Sequence, residues 1–159
     1  MTVERRVSTD IGFGIRQLVD IALKVLAPSM NDHYTAVQAI QHLAIVMTGL
    51  ATVATDDLWI AGEDGIRVFM PVPRFTLFLD TECTNIRRSA SHRPRVLIAL
   101  LRLLETVTAS PTSVEHRQAV TGRIELIVQE AEQRIEPAAD LEPIRRMAHD
   151  AAFRSSLAD

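Results

Sequence analysis

The sequence contains very little cysteine, lysine and aromatic residue, and each shortage narrows the kind of protein it encodes. Among 159 residues Cys83 is the single cysteine, which excludes an intramolecular disulfide and a multi-cysteine metal site within one chain. Aromatic residues make up 4%, so the core must be aliphatic. Lys24 is the single lysine, and the net charge of −3 gives no global attraction to nucleic acid or to an anionic membrane.

The chain also shows no secretory signal at its start and no convincing membrane span. Residues 1–10 are polar and charged, unlike a signal peptide. The segment 34–55 has no formal charge and approaches the length of a membrane span. It contains Gln38, Gln41 and His42, which are expensive to place in hydrocarbon, so we expect a buried core helix and no direct membrane insertion.

The hydrophobic pattern predicts an all-α fold, a bundle of about six helices in a single domain over residues 1–159. Hydrophobic residues account for 47% of the chain, and a chain of this length typically buries roughly two-thirds of its unfolded surface. The one β signal is a small hairpin at about 58–70, where Asp64-Gly65 favours a tight turn. The helices are predicted at about 10–27, 31–53, 73–90, 94–108, 111–135 and 141–155.

Three of these helices carry specific expectations about their packing. The uninterrupted apolar run from Val96 to Leu101 predicts that the fourth helix is central. The residues predicted to point inward from helix three are Phe75, Phe78, Leu79 and Ile86. Those predicted to form one buried stripe on helix five are Val120, Ile124, Ile127, Ala131 and Ile135.

The first predicted helix is apolar around most of its circumference. Such a helix is normally surrounded by other elements, so we expect it at the centre of the domain. Its apolar residues at helical spacing are Ile11, Ile15, Leu18, Ala22 and Val25, widened by Ile21 and Leu23. What remains is a narrow polar strip of Arg16, Gln17, Asp20 and Lys24.

The ends of several helices carry residues that predict how they are capped. Pro28 ends the first helix, and Ser29 and Asp32 have the spacing of a capping box at the start of the second. Ser110-Pro111 is typical of a cap followed by the first residue of helix five. Ser8, Thr9 or Asp10 can cap helix one, Pro137 stops helix five, and Glu130 and Arg134 have the spacing of an ion pair on helix five.

One stretch of the chain resembles a known family. Its residues 13–22 (FGIRQLVDIA), 27–32 (APSMND), Thr35-Ala36 and 86–88 (IRR) are similar to a family of uncharacterised predicted bacterial membrane proteins. A soluble C-terminal region of that family carries FG-x-RQLVDIA, then S-P-G-x-N-D-P, then T-A. The resemblance implies attachment to a bacterial inner membrane and a membrane region missing from this chain, which is then either an excised soluble region or a free-standing relative. It implies no agreed reaction or ligand.

Departures from the family pattern fall in the link between the first two helices. Ala27-Pro28-Ser29 stands where the family tends to show Ser-Pro-Gly, and His33-Tyr34 stands where it has a proline step. We therefore expect this link to differ in shape from that of the family.

The first helix and the link after it hold the candidate binding residues. Backbone amides at the start of the second helix attract anions, and an arginine can complete a phosphate or carboxylate pocket. The same residue types also serve as caps and as partners of i,i+4 ion pairs such as Asp20–Lys24, and both interpretations stay open. The candidate ligand-binding residues are Arg16, Gln17, Asp20, Asn31, Asp32 and Thr35, with Arg87 or Arg88 as additions.

Catalysis, metal binding and DNA binding are weakly supported by the sequence. Asp20, Asp32 and His33 are the best candidates for a metal or catalytic group, yet the chain contains none of the familiar metal, phosphate-loop or nucleophile motifs. We therefore expect no catalytic residue, metal site or cofactor. A helix-turn-helix needs basic residues on its second helix, and the second helix here has neither arginine nor lysine, so no nucleic acid partner is expected.

The first, second and fourth helices are more apolar than the outer helices of a small bundle require. We therefore predict a non-enzymatic, soluble, cytoplasmic module that acts by self-association as a homo-oligomer or by binding a partner, for example a membrane-anchored one. The alternative hypothesis is a sensor domain for a small anion, using the polar strip and the start of the second helix.

Overall fold

The computed structural model describes residues 11–52, 58–61, 67–70, 75–110 and 113–157, and six helices dominate this part of the chain. The helical class predicted from the sequence is confirmed. The helices are α1 (Ile11–Leu26), α2 (His33–Thr52), α3 (75–89), α4 (Pro94–Thr108), α5 (Val114–Arg134) and α6 (Ala138–Leu157).

Two short strands lie between α2 and α3. They are β1 (Leu58–Ala61) and β2 (Arg67–Met70), and they pair antiparallel with Leu58 opposite Met70 and Ala61 opposite Arg67. The predicted turn residues Asp64-Gly65 lie outside the described residues. So do the predicted caps at residues 8–10 and the predicted start of α3 near Pro73.

The central helix is α4. It packs against α2, α5 and α6, and most of its side chains are buried. Its apolar residues are too closely spaced for a single stripe, because the run from Val96 to Leu101 contains no polar residue. A helix covered on several sides must be apolar on several sides, so the central position expected of the fourth helix is confirmed.

The central position expected of α1 is wrong. This helix packs mainly on α2 and on the second half of α3, and its buried residues, such as Ile15 and Val19, lie on one side. Ile11 and Ile21 are exposed together with the polar strip, so the solvent-facing surface is wider than the strip alone. The sequence pattern shows how much of the surface of α1 is apolar. It does not show how many neighbouring helices are present to cover that surface.

Helix α3 is interrupted by a π-helical turn that the sequence pattern did not predict. Ordinary helix at Phe75–Phe78 and Thr84–Ser89 flanks the π turn at Leu79–Cys83. A π turn accommodates one extra residue and re-aims the side chains around it. It brings Leu79, Glu82 and Cys83 into the interior together. The four residues predicted to point inward from this helix are all buried: Phe75, Phe78, Leu79 and Ile86.

Two helix starts differ from the prediction. Helix α5 begins at Val114, because the Ser113 hydroxyl accepts a hydrogen bond from the His116 amide at 3.1 Å; the cap predicted at Ser110-Pro111 is therefore wrong. Helix α6 begins at Ala138 instead of near Leu141, because the Pro137 carbonyl already accepts from the Asp140 amide at 3.0 Å.

The buried stripe predicted on α5 is confirmed, but its predicted ion pair is not. Val120, Ile124, Ile127, Ala131 and Ile135 are all buried. Glu130 forms its ion pair with Arg87 on α3 instead of with Arg134 four residues on. The ion pair therefore links α5 to α3. Glu130 can form it because it lies at the edge of the buried stripe, within reach of the neighbouring helix.

The buried side chains of the six helices form one continuous cluster. Phe75 and Phe78 are the aromatic residues among the buried hydrophobic side chains of the described chain, so the aliphatic core expected from the composition is present. The largest fully buried aliphatic side chains include Ile15, Leu26, Ile40, Leu43, Leu97, Leu100, Leu101 and Leu103.

Candidate functional site

The link between α1 and α2 is closed by the carboxylate of Asp32. Its Oδ1 accepts from the Tyr34 amide at 3.1 Å and from the Thr35 amide at 3.0 Å, and its Oδ2 accepts from the Thr35 hydroxyl. Asp32 is therefore the N-cap of α2, and the predicted capping box that begins at Ser29 is wrong. The hydrogen bond from the Thr35 hydroxyl, followed by that from the Thr35 amide, holds the pKa of Asp32 below its ordinary value.

Asn31 joins this link to a second corner of the fold. Its backbone is left-handed, with φ of 48°, a conformation that asparagine tolerates better than most residues. Its side-chain Oδ1 accepts from Arg93 Nη2 at 3.2 Å and lies 2.9 Å from His33 Nε2. Arg93 is buried and also donates from Nη1 to the Ser89 carbonyl at 2.7 Å. The arginine therefore fastens the α1–α2 link to the α3–α4 corner.

Sequence reasoning missed Arg93. It identified Arg87 and Arg88 as partners for the link, but Arg87 pairs with Glu130 on α5. The contact between Arg93 and Asn31 spans 62 positions of the chain, so no local pattern points to it. The one available signal is its place directly before Pro94, where the chain turns into α4 and an arginine side chain can reach back.

The six candidate ligand-binding residues fall into two groups. Arg16, Gln17 and Asp20 lie on the exposed face of α1, whereas Asn31, Asp32 and Thr35 lie in the link and the first turn of α2. In the second group Asp32 accepts hydrogen bonds from Thr35, and Asn31 accepts one from Arg93. The second group is thus occupied by hydrogen bonds within the protein.

Two residues of the strip on α1, Arg16 and Asp20, lie close enough to the π turn of α3 for their charges to act on Glu82. Glu82 is buried there, and burial raises the pKa of its carboxyl above the ordinary value. A hydrogen bond from Asn85 and the charge of Arg16 act in the opposite direction, while the charge of Asp20 raises the pKa further. The charges of Arg16 and Asp20 therefore shift the pKa of the buried Glu82 carboxyl in opposite directions.

Neither the titratable groups nor the lone thiol form a metal or nucleophile site in the described residues. No three His, Cys, Asp or Glu side chains within the described ranges come together as metal ligands. Cys83 is buried, and burial raises the pKa of its thiol to about 12, so it is not a reactive nucleophile at neutral pH.

An open groove with a volume of about 560 Å³ lies between α2 and α4. Asn31 lies two positions before α2 and Arg93 directly precedes α4, so the hydrogen bond between them brings the starts of the two helices together. Since the groove is lined by both helices from these starts onward, α2 and α4 run in the same direction. From α2 the groove is lined by Tyr34, Val37, Ile40, Gln41, Ala44 and Ile45, with His33 at its end. From α4 it is lined by Arg95, Ile98, Ala99, Arg102, Leu103 and Thr106.

The groove has a buried apolar floor and an exposed rim. Ile40 and Leu103 belong to the core and form part of its floor. On the α2 rim, Tyr34 is 74% exposed and Ile45 is 72% exposed, the highest values among the exposed large hydrophobic side chains of the described residues. Exposed Gln41 lies between them on the same rim, so the apolar character of the groove comes from its floor together with these two side chains. An apolar depression with exposed apolar side chains at its edge is a candidate interaction site.

The opposite rim is basic. Arg95 and Arg102 are exposed on α4, and within the described part of the chain neither guanidinium has an ion-pair partner. Among the described residues that line the groove there is no aspartate or glutamate. The groove therefore combines an apolar floor, an apolar rim on α2 and a positively charged rim on α4.

Within the described residues, none of the helices combines the length and the hydropathy that crossing a membrane requires. For α2 this agrees with the expectation of a core helix: its buried residues, among them Ala36, Leu43 and Met47, face the other helices.

Comparison with known proteins assigns the chain to a family. Uncharacterised proteins of Mycobacterium bovis and of two strains of Mycobacterium tuberculosis are each 40% identical to it over 154 residues. The match covers 96% of this chain and 29% of each relative, so the chain spans less than a third of their length. No solved structure matches. The model of a family described as predicted membrane protein (DUF2254) matches residues 1–106, and the chain belongs to that family.

Proposed function

We propose that this chain is a non-enzymatic helical module of a membrane protein and that it binds a partner protein through the groove between α2 and α4. The observation that carries the proposal is the rim of α2, where Tyr34 and Ile45 are exposed beside a continuous apolar floor. Single exposed hydrophobic side chains are common, but here two of them flank an apolar depression, which is a usual form of a protein-binding site.

The family supports a role as one part of a larger assembly. Its members are described as predicted membrane proteins, and this chain corresponds to 29% of the relatives' length. The proposal places the module outside the membrane on the cytoplasmic side, a reducing compartment in which a free cysteine such as Cys83 stays reduced. Fusion of a topology reporter to the full-length relative measures the side directly.

Thiol labelling in cells tests whether the groove is covered. Because Cys83 is buried and its thiol has a raised pKa, an introduced cysteine is the reactive one. In Ile45→Cys, the thiol should react freely with a maleimide in the purified chain and markedly more slowly in intact cells. Leu77→Cys is the matched control, since Leu77 is 61% exposed on α3, away from the groove.

Equal labelling of Ile45→Cys in cells and in the purified chain would contradict the proposal. Equal slowing of Ile45→Cys and Leu77→Cys would also contradict it, because such slowing reflects poor access of the reagent and not a covered groove. Sedimentation of the purified chain over a range of concentrations tells whether the protein that covers the groove is a second copy.

The alternative, a sensor for a small anion, would use Arg16, Gln17, Asp20, Asn31, Asp32 and Thr35 as proposed ligand-binding residues. One observation weighs against it: the Asp32 carboxylate already accepts the first amides of α2, where the anion would bind. Titration of inorganic phosphate with a thermal-shift readout tests it. A rise in melting temperature that Arg16→Ala removes would favour the sensor, and no rise would eliminate it.

A further inference from the structure

The groove has a chemistry specific enough to describe its occupant. Resting on the proposed function, we infer that the occupant is a single amphipathic helix from another protein, which buries an apolar stripe in the groove. Beside that stripe it carries two carboxylates about two turns apart, which pair with Arg95 and Arg102.

The shape of the groove matches a helix. Its walls are the facing sides of two helices that run in the same direction, so the groove is straight and elongated. Tyr34 and Ile45 are eleven positions apart on α2, which corresponds to about 16 Å or three helical turns. A helix of three to four turns lying between two others is a common form of peptide recognition by helical proteins.

The spacing of the two arginines sets the charge pattern of the occupant. Arg95 and Arg102 are seven positions apart, about 10 Å along the axis of α4. Long side chains on a helix lean toward its N-terminus, so the two guanidinium groups lean the same way and keep that separation. A single phosphate or carboxylate cannot pair well with both. Two carboxylates seven positions apart on one helix can.

The charge of the groove also disfavours a second copy of this chain. Isologous pairing of two grooves would bring two copies each of Arg95 and Arg102 together. The described residues of the lining offer no carboxylate to neutralise them, and like charges at an interface oppose association. An acidic helix from another protein supplies the missing charge.

A binding measurement with two designed peptides tests the inference. The acidic probe is an 18-residue fluorescent helix with leucines at i, i+3, i+4 and i+7 and two glutamates seven positions apart beside them; the basic probe has lysines in place of those glutamates. By fluorescence anisotropy at low salt, the acidic probe should bind about tenfold more tightly than the basic probe. Arg95→Glu/Arg102→Glu should reverse the preference.

Two matched pairs of variants separate specific docking from general stickiness. Ile45→Glu should weaken the acidic probe by about tenfold or more, while Leu77→Glu, an exposed leucine elsewhere, leaves it unchanged. Arg102→Glu should weaken it, while Arg134→Glu on the exposed end of α5 does not. All four positions are exposed, so loss of folding is not expected, and circular dichroism of each variant checks it.

The outcomes distinguish failure of the inference from failure of the proposed function. Equal binding of both probes, abolished by Ile45→Glu, overturns the acidic occupant but leaves the groove as a docking site. A dimer or binding to anionic phosphatidylglycerol vesicles that Ile45→Glu abolishes, with no preference for the acidic probe, overturns the inference in favour of a second copy or a lipid surface. Absence of every form of groove-dependent binding overturns both.

Discussion

Helix α2 helps to build two surfaces, the link at its start and the groove along its side. They differ in whether their side chains have partners within the protein. In the link, the polar groups of Asn31, Asp32 and Thr35 are hydrogen-bonded within the protein, and buried Arg93 completes the set. In the groove, Tyr34 and Ile45 are exposed, and two arginines on the facing wall have no ion-pair partner among the described residues.

This difference teaches that polar residues alone are a poor guide to a site. The sequence pattern drew attention to the link, where charged and amide side chains are concentrated, but there they cap a helix and connect two corners. The groove is lined mainly by apolar residues, and its two arginines have no ion-pair partner among the described residues. We therefore expect substitutions in the link to change stability and substitutions on the rim of the groove to change binding.

The largest expected effect separates the floor of the groove from its rim. Ile40→Ala removes a fully buried side chain and should lower the free energy of unfolding by about 2–5 kcal/mol. Ile45→Ala, five positions along the same helix, should change it by no more than about 0.5 kcal/mol because Ile45 is exposed. Urea denaturation measures both. Comparable losses would mean that the rim is part of the core.

The second effect concerns the arginine that fastens the link. Arg93→Ala removes the hydrogen bonds from Arg93 to the Asn31 side chain and to the Ser89 carbonyl, and should cost about 1–3 kcal/mol in the free energy of unfolding. Arg95→Ala, two positions on and at the groove, is the control and should stay within about 0.5 kcal/mol. Equal losses in the free energy of unfolding for Arg93→Ala and Arg95→Ala would contradict the distinction between a structural link and a binding groove.

The third effect identifies which residue caps α2. Asp32→Ala should lower the urea midpoint at pH 7, while Ser29→Ala leaves it unchanged. Since the folded pKa of Asp32 lies below its ordinary 3.8, its contribution to stability is present above that value and is lost as the pH falls through the folded pKa. The gap between wild type and Asp32→Ala should therefore close in acid. A larger effect of Ser29→Ala than of Asp32→Ala would instead support the capping box predicted to begin at Ser29.

The smallest effect extends the comparison to Glu82, a buried acid beside the polar strip of α1. The folded pKa of Glu82 is raised above the ordinary 4.5. The free energy of unfolding is therefore at its full value below pH 4.5, where Glu82 is protonated in both states, and it falls as the pH rises through the folded pKa. Glu82→Gln should then unfold at a slightly higher urea concentration than wild type at pH 7 and at the same concentration near pH 4. A destabilised Glu82→Gln at pH 7 would show that the charge is needed there.

The sequence predicted the parts of the fold that depend on spacing along one helix. The buried stripe of α5 and the uninterrupted apolar run of α4 are visible in the order of the residues, and both are confirmed. The resemblance carried by residues 13–22 led to the right family. Features that depend on a neighbour did not follow: periodicity does not reveal how many helices cover α1, and a π turn has no simple residue signature.

The candidate site was less predictable than the fold, for the same physical reason. Ser29 and Asp32 are both good caps, and only the left-handed turn at Asn31 decides in favour of Asp32. Arg93 reaches Asn31 only after four helices have packed. Likewise, Ile45 reads as one more apolar residue of a core helix. Its exposure becomes apparent only when the packing leaves the groove open beside it.

One measurement compares the two surfaces directly: the rate of maleimide labelling of Ile45→Cys in the groove and of Ser29→Cys in the exposed link, each in intact cells and in the purified chain. Both residues are exposed in the structure. If a partner occupies the groove, labelling of Ile45→Cys should slow in cells while that of Ser29→Cys does not. Slower labelling of Ser29→Cys alone would contradict the account and move the binding site to the link.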